Sequence, residues 1–165
     1  WQENHLVFSD GRGGLWQTEL PDAHAVFLGT GSFAQFSRDG KALAYNADDG
    51  GSDEIYVQPA SVGARRSRVS FNGGSKPRWK ADGSELYFLD NGGRLMAVKM
   101  KLGSEISFSP PQALFQTMYR QLSEFRSSRS VYAVSADGSK FLFFDDAKEG
   151  IDGVSKIPVL VNWGN

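Results

Sequence analysis

Carboxylates are the most concentrated reactive groups in this sequence, and they cluster in short polar segments. Residues 46–54 read Asn-Ala-Asp-Asp-Gly-Gly-Ser-Asp-Glu, and Asp145 and Asp146 form a second acidic segment. Oxygen-rich loops of this kind are typical of calcium sites, but the flanking helices and the spaced terminal glutamate of an EF-hand are missing from the pattern. We therefore interpret both segments as polar loops with glycines at positive φ, and we expect no metal and no cofactor.

The densest basic run consists of Arg65, Arg66 and Arg68. Such a run can bind phosphate. It lies, however, at the start of a predicted outer strand, where charged side chains prevent a sheet edge from pairing with another chain. We interpret it as edge protection.

The sequence contains none of the usual catalytic arrangements. It has no cysteine, which excludes thiolate catalysis, disulfides and cysteine-based metal sites. The two histidines, His5 and His24, are too far apart for a local ligand pair, and neither a Gly-x-Ser-x-Gly motif nor a phosphate-binding loop occurs. No pair of carboxylates has a context that marks it as an acid–base pair. We expect no catalytic activity from this chain.

Composition sets further bounds on the fold and its partners. A length of 165 residues suits one domain, and 40% hydrophobic and 13% aromatic residues are enough for a packed core. A net charge of −1 argues against nucleic acid as a partner. No apolar run reaches the roughly 18 residues of a membrane span. Because the chain begins at Trp1 without a signal-like segment, we expect a mature, trimmed or truncated product.

Short apolar or alternating runs, separated by Gly, Asp, Asn and Ser, recur along the chain and predict strands joined by turns. Helical periodicity is weak except at residues 116–125, where three apolar side chains could line a short helix. The sequence therefore predicts an all-β fold. The predicted strands are residues 5–9, 14–20, 25–28, 33–37, 42–46, 54–59, 68–71, 76–80, 85–89, 94–99, 112–115, 130–135, 140–144 and 157–163.

One hairpin pattern occurs three times, at residues 36–45, 79–88 and 134–143. Each copy has an apolar residue, two small or polar residues, Asp-Gly, two polar residues and an apolar strand. Asp-Gly favours a tight hairpin, because both central positions of such a turn take positive φ. The first two aspartates are 43 residues apart and the last two 55. Four-stranded repeats of about this length are the blades of β-propellers.

The repeats resemble the TolB-type β-propeller repeat. The resemblance rests on residues 36–57, 77–88 and 132–163, and overall it covers residues 33–163. The last stretch is similar to C-terminal propeller regions of bacterial receptor-like serine/threonine kinases. The family implies a binding or interaction platform. The same repeat also occurs in the non-catalytic propeller of prolyl-oligopeptidase-like peptidases.

With strands labelled A to D from the axis outward, the sequence predicts a β-propeller segment of about four blades of antiparallel four-stranded sheets. We expect an incomplete blade at residues 1–31, a blade at 32–74, a blade with a long loop at 75–129 and an incomplete C-terminal blade at 130–165. A partial ring would expose edges and an apolar face. We therefore expect either a longer natural protein or a homodimer that completes the ring.

In a propeller, the B–C and D–A loops open on one face, and long irregular loops are often functional. We predict that this face binds the ligand, which would be a protein, a peptide or a small molecule. The candidate residues are Asp48, Asp49, Asp53, Asp90, Tyr119, Arg120, Arg126, Arg129, Asp145, Asp146 and Asp152.

The resemblance implies a non-catalytic binding module of a larger extracytoplasmic bacterial protein. That protein would be periplasmic or the sensor end of a membrane-anchored kinase. The alternative is the gating propeller of a prolyl-oligopeptidase-like peptidase, with a catalytic domain outside this chain. A third hypothesis is a glycan- or cation-binding propeller enzyme, which would hold a metal or a sugar at the acidic face.

Overall fold

The computed structural model describes residues 4–21, 24–103, 105–117 and 132–143, together with the backbone of 159–162. All regular structure in this part of the chain is strand, which confirms the all-β prediction. The strands are β1 (His5–Ser9), β2 (Gly14–Glu19), β3 (Val26–Phe36), β4 (Ala42–Asp48), β5 (Asp53–Pro59), β6 (Ser67–Arg68), β7 (Ser75–Trp79), β8 (Glu85–Leu89), β9 (Arg94–Lys101), β10 (Ser107–Phe108), β11 (Gln112–Gln116), β12 (Tyr132–Val134), β13 (Lys140–Phe143) and β14 (Val159–Asn162).

Three antiparallel sheets follow one another along the chain. The first has the order β1-β2-β3-β4-β5-β6, the second β10-β9-β8-β7 with β11 also beside β9, and the third β12-β13-β14. Most strands pair with the strand that precedes or follows them in sequence, so each sheet is built from one continuous stretch of the chain. Among the described residues, no helix is long and apolar enough to cross a membrane.

The structure corrects one expected strand break. Residues 25–28 and 33–37 were expected to form separate strands, but they belong to the single strand β3. Its first half pairs with β2 and its second half with β4. Gly31 makes this continuity possible, because a Cβ there would overlap the carbonyl oxygen of Asn46 and lie 3.0 Å from Ala47 Cα. This glycine marks a close approach of backbones rather than a turn.

The outer strand of the second sheet is also divided differently from the prediction. Residues 112–115 were expected to form it alone, whereas β10 and β11 both pair with β9, at opposite ends of that strand. Pro110 and Pro111 lie between them. Proline has no backbone N–H to donate, so the ladder is interrupted there.

Apolar side chains fill three layers, each between consecutive parts of the fold. Strand β4 is covered on both faces by these layers, since Ala42 through Ala47 are all buried. Leu43 and Tyr45 pack towards β2, while Ala42 and Ala44 pack towards the second sheet. This is the period of two expected of a strand that is covered on both faces.

The repeated hairpins occupy equivalent packing positions. Leu43, Leu86 and Phe141, at the same place in the three copies, each pack against the preceding part of the fold. The next residue packs against the following sheet, as Ala44 and Tyr87 do. The β4–β5 part of the first sheet and the second sheet thereby each contribute one face to the layer before and one to the layer after, which is how propeller blades stack.

The Asp-Gly hairpins form, but not with the expected turn geometry. Only the glycine of each pair has positive φ, at 71° for Gly40, 72° for Gly83 and 73° for Gly138. The turn is centred one residue earlier, with Gly40 N donating to Ser37 O at 2.9 Å. The aspartate side chain accepts from the N–H two residues later, as Asp39 does from Lys41 at 3.2 Å. The aspartate can therefore keep negative φ.

Candidate functional site

Three loops lie together at one end of the sheets. They are residues 48–53, 69–74 and 90–93, and we call them the loop-rich face. Gly74 N donates to Asp53 O at 2.8 Å, which joins the first two loops. Gly73, with φ of 80°, lies so close to Asn91 that a Cβ would overlap its side chain. Loops of two consecutive sheets thus form one continuous surface.

Asp48 and Asp53 close the hairpin between β4 and β5, where they are the last pair in register. Asp48 Oδ1 accepts a hydrogen bond from Gly51 N at 2.7 Å. Asp53 Oδ2 accepts one from Asn46 Nδ2 at 3.0 Å. Both carboxylates are exposed, so they fix the hairpin while remaining at the surface.

Arg68 connects this hairpin to the buried side of the loop-rich face. Its guanidinium forms ion pairs with Asp49 at 2.5 Å and with Glu54 at 2.8 Å. Glu54 is buried and also accepts hydrogen bonds from Gly73 N at 3.0 Å and from Ser70 Oγ. A buried carboxylate with this many donors is satisfied, so it holds the loops together.

Arg66, in the same basic run, also has partners. Arg66 Nη1 donates to Leu28 O at 2.9 Å, and its guanidinium lies 4.2 Å from the centroid of the Tyr56 ring. Burial, with a hydrogen bond to Asp49, raises the pKa of Tyr56. Because β6 is the last strand of its sheet, the run does lie at a sheet edge, and there it also links neighbouring strands.

Asp90 starts the turn between β8 and β9 and is buried. Its Oδ1 accepts from Arg94 N at 2.8 Å, and its Oδ2 accepts from Arg94 Nε at 2.7 Å. This carboxylate is used within its own turn. Among the described residues, no three His, Cys, Asp or Glu side chains converge as a metal site would require.

The remaining predicted site residues lie outside the described part of the chain, as do residues 118–125 of the short helix considered above. These site residues are Tyr119, Arg120, Arg126, Arg129, Asp145, Asp146 and Asp152.

Phe71 is the most exposed large hydrophobic side chain of the described residues, with 65% of its surface accessible. It lies on the loop-rich face, and the guanidinium of Arg68 lies 5.3 Å from its ring centroid. Sequence reasoning placed residue 71 at the end of a strand and assigned it no role. The sequence feature that could have indicated its exposure is its position after a short outer strand, in a turn rich in Gly and Asn.

A buried lysine near the inner strands was also missed. Lys76 is 1% exposed, and its Nζ lies 3.9 Å from the centroid of the Phe33 ring. The two residues occupy equivalent repeat positions, and both have positive φ, 57° and 55°. Each lies at an irregularity of its inner strand. Burial, aided by the charge of Arg78, lowers the pKa of Lys76 to about 8.

A concave feature lies at the opposite end of the sheets from the loop-rich face. It is a cleft of about 380 Å³ between the second sheet and the turn joining β12 and β13. The sequence pattern predicted the hairpin at residues 134–143, but it did not predict that this hairpin lines one side of a cleft. The lining residues that matter below are Glu85, Tyr87, Lys99, Gln112, Leu114 and Asp137.

Neither the protein-family models nor the curated proteins contain a match to this sequence. Solved structures do match. One is the tricorn protease, with a TM-score of 0.58 and 10% identity over 90% of this chain and 14% of that chain. This likeness defines the class as a β-propeller fold.

The more particular likeness is to TolB. TolB from Acinetobacter baumannii has a TM-score of 0.55 and 18% identity over 96% of this chain and 41% of its own. A protein assigned as TolB from Agrobacterium tumefaciens has a TM-score of 0.54 and 15% identity over 85% and 50%. This chain therefore has a TolB-like propeller fold. It spans half or less of the length of each of these three proteins.

Proposed function

We propose that this chain is a non-catalytic binding module of a larger extracytoplasmic protein, and that its loop-rich face binds a protein or peptide. The observation that carries this proposal is the exposure of the Phe71 side chain on a surface whose loops are otherwise joined by charged side chains. Aromatic and arginine side chains dominate the energetic centres of protein interfaces, and charged groups form their rim. The contact of Phe71 with Arg68, whose guanidinium is paired with Asp49, has this composition.

The face is also pre-organised. Glu54 receives donors from three positions, Asp90 is held by Arg94, and Asp53 by Asn46. A partner that docks there does not have to order these loops, which lowers the entropic cost of binding. Asp48, Asp49 and Asp53, which we predicted as ligand-binding residues and which are exposed, would then contribute to the charged rim rather than to a metal site.

Site-specific photo-crosslinking in the native host tests this proposal. A photoreactive phenylalanine analogue replaces Phe71, and a matched protein carries the analogue at Arg38, an exposed turn residue at the other end of the sheets. We expect a discrete adduct with one partner at position 71 and none at position 38. The same adduct at both positions, or none at either, would contradict the proposal.

The second candidate is a gating propeller of a peptidase whose catalytic domain lies outside this chain. The likeness to the tricorn protease, which covers 90% of this chain, favours it. The domains encoded beside this segment in the full reading frame distinguish the binding module from the peptidase propeller. A hydrolase domain beside this segment supports the peptidase, whereas a kinase domain with a membrane span supports a sensor.

The likeness to TolB supports the extracytoplasmic location within this proposal. Fractionation of the native host by osmotic shock tests it. We expect the protein in the periplasmic or membrane fraction, and recovery with a cytoplasmic marker would contradict this part of the proposal.

A further inference from the structure

Two opposite charges face the cleft without forming an ion pair. Glu85 and Lys99 are directly opposed in the register of β8 and β9, a position at which opposite charges usually attract. Instead, Glu85 Oε2 accepts a hydrogen bond from Tyr87 Oη at 2.6 Å. Among the described residues, Lys99 takes part in no ion pair. The Lys99 ammonium and the second oxygen of Glu85 are therefore available to a ligand.

The wall opposite these charges is held rigidly. A Cβ at Gly138 would overlap Tyr87 Oη and lie 3.1 Å from Lys80 Cδ, so this turn packs directly on the second sheet. Ala81 N also donates to Ala136 O at 3.4 Å, which links two successive Asp-Gly hairpins. Burial, together with Glu85, raises the pKa of Tyr87, so its phenol stays protonated and keeps donating to Glu85.

Most other polar groups of the cleft are used within the fold. Asp137 accepts from Ser135 Oγ at 2.5 Å, from Ser139 N at 3.0 Å and from Ser139 Oγ at 2.7 Å. These bonds hold the pKa of Asp137 well below its usual range, so it keeps its negative charge. The cleft thus presents the Glu85 carboxylate and the Lys99 ammonium on the second sheet, with the exposed amide of Gln112, and the Asp137 carboxylate on the opposite wall.

We propose that this cleft binds a small zwitterion, namely a free α-amino acid or a dipeptide with an apolar side chain. The ligand ammonium faces Glu85 and Asp137, and its carboxylate pairs with Lys99. The apolar side chain lies on Leu114 and Ala97, which line the same cleft. A volume of about 380 Å³ is large enough for a ligand of this size. Because the cleft and the loop-rich face lie at opposite ends of the sheets, this site is independent of the function proposed above.

A titration followed by nuclear magnetic resonance tests the proposal with L-leucine and glycyl-L-leucine as probes. L-leucine amide lacks the carboxylate, and N-acetyl-L-leucine lacks the ammonium. We expect both zwitterions to shift the amide signals of Tyr87 and Gln112, and each blocked form to bind roughly tenfold more weakly. Absence of these shifts with both zwitterions, or equal affinity for the blocked forms, would overturn the proposal.

Two variants separate the site from non-specific charge effects. Lys99→Met is expected to weaken L-leucine roughly tenfold while leaving L-leucine amide unchanged, because only the former has a carboxylate to lose. Lys101→Met is the matched control, since Lys101 is exposed on the same strand outside the cleft. It is expected to bind like wild type. Unchanged leucine binding by Lys99→Met, or equal losses in both variants, would overturn the assignment.

Discussion

At the scale of single residues, the inner strands hold the least expected feature, a lysine in a buried position. Lys76 keeps its charge below about pH 8 through the contact with the Phe33 ring and its other interactions, although burial disfavours the charged form. Lys76 begins a run in which polar and apolar residues alternate, and this pattern does not reveal that its side chain is buried. Its orientation is set by the strand irregularity, which only the three-dimensional structure shows.

This lysine predicts a specific pH dependence of stability. Its pKa is about 8 in the folded state and 10.5 when unperturbed, so between these values the unfolded chain binds more protons than the folded chain. The contribution of Lys76 to the free energy of unfolding therefore rises with pH between about pH 8 and pH 10.5. Relative to Lys76→Met, we expect wild type to gain up to about 2 kcal/mol of unfolding free energy between about pH 7 and about pH 9.5.

Urea unfolding at both pH values measures the difference. Lys41→Met is the control, because Lys41 lies in an exposed turn, and it should follow the pH dependence of wild type. If the unfolding free energy of Lys76→Met changed between the two pH values by the same amount as that of wild type, the burial of the Lys76 charge would be contradicted.

At the scale of elements, hairpins were predictable because their information is local. The Asp-Gly pattern and the apolar runs give most strands and the positions of the repeated hairpins correctly. The continuity of β3 was not predictable, because Gly29 and Gly31 look like turn residues unless the approach of Asn46 is known. Likewise, the cleft depends on where the last hairpin packs against Tyr87, a contact between residues far apart in sequence.

The contact between the last hairpin and the second sheet can be tested with two glycines of the same backbone conformation. Gly138 has φ of 73° and Gly50 has φ of 76°, but Gly50 has open space around its α-carbon. We expect Gly50→Ala to cost about 1 kcal/mol from backbone strain alone. Gly138→Ala should cost about 2 kcal/mol more, because the new methyl group overlaps Tyr87 Oη.

Denaturant unfolding of the two variants gives these values, and Tyr87→Phe offers a rescue. In the Gly138→Ala background, removing the hydroxyl should recover part of the loss, which a double-mutant cycle would show as coupling. Equal costs at both glycines would mean that the turn does not pack on Tyr87.

At the scale of the whole molecule, the layers between sheets explain why the chain folds as a stack. The first sheet has one aromatic stripe that lies outside these layers, formed by Phe8, Trp16 and Phe27 in adjacent register positions. Phe8 is 38% and Phe27 is 52% exposed, and the rings of Trp16 and Phe27 lie 4.9 Å apart. In the part of the chain that the structure describes, this is where an additional sheet would pack as the others do.

We infer that this propeller segment binds a second copy of itself through the open face of its first sheet, and the mass of the protein in solution tests this claim. Light scattering after size-exclusion chromatography should give twice the 18.1 kDa of one chain for wild type, because in such a dimer the aromatic stripe would be covered. Phe27→Glu should give the mass of one chain. A monodisperse, folded wild-type protein with the mass of a single chain would contradict the claim.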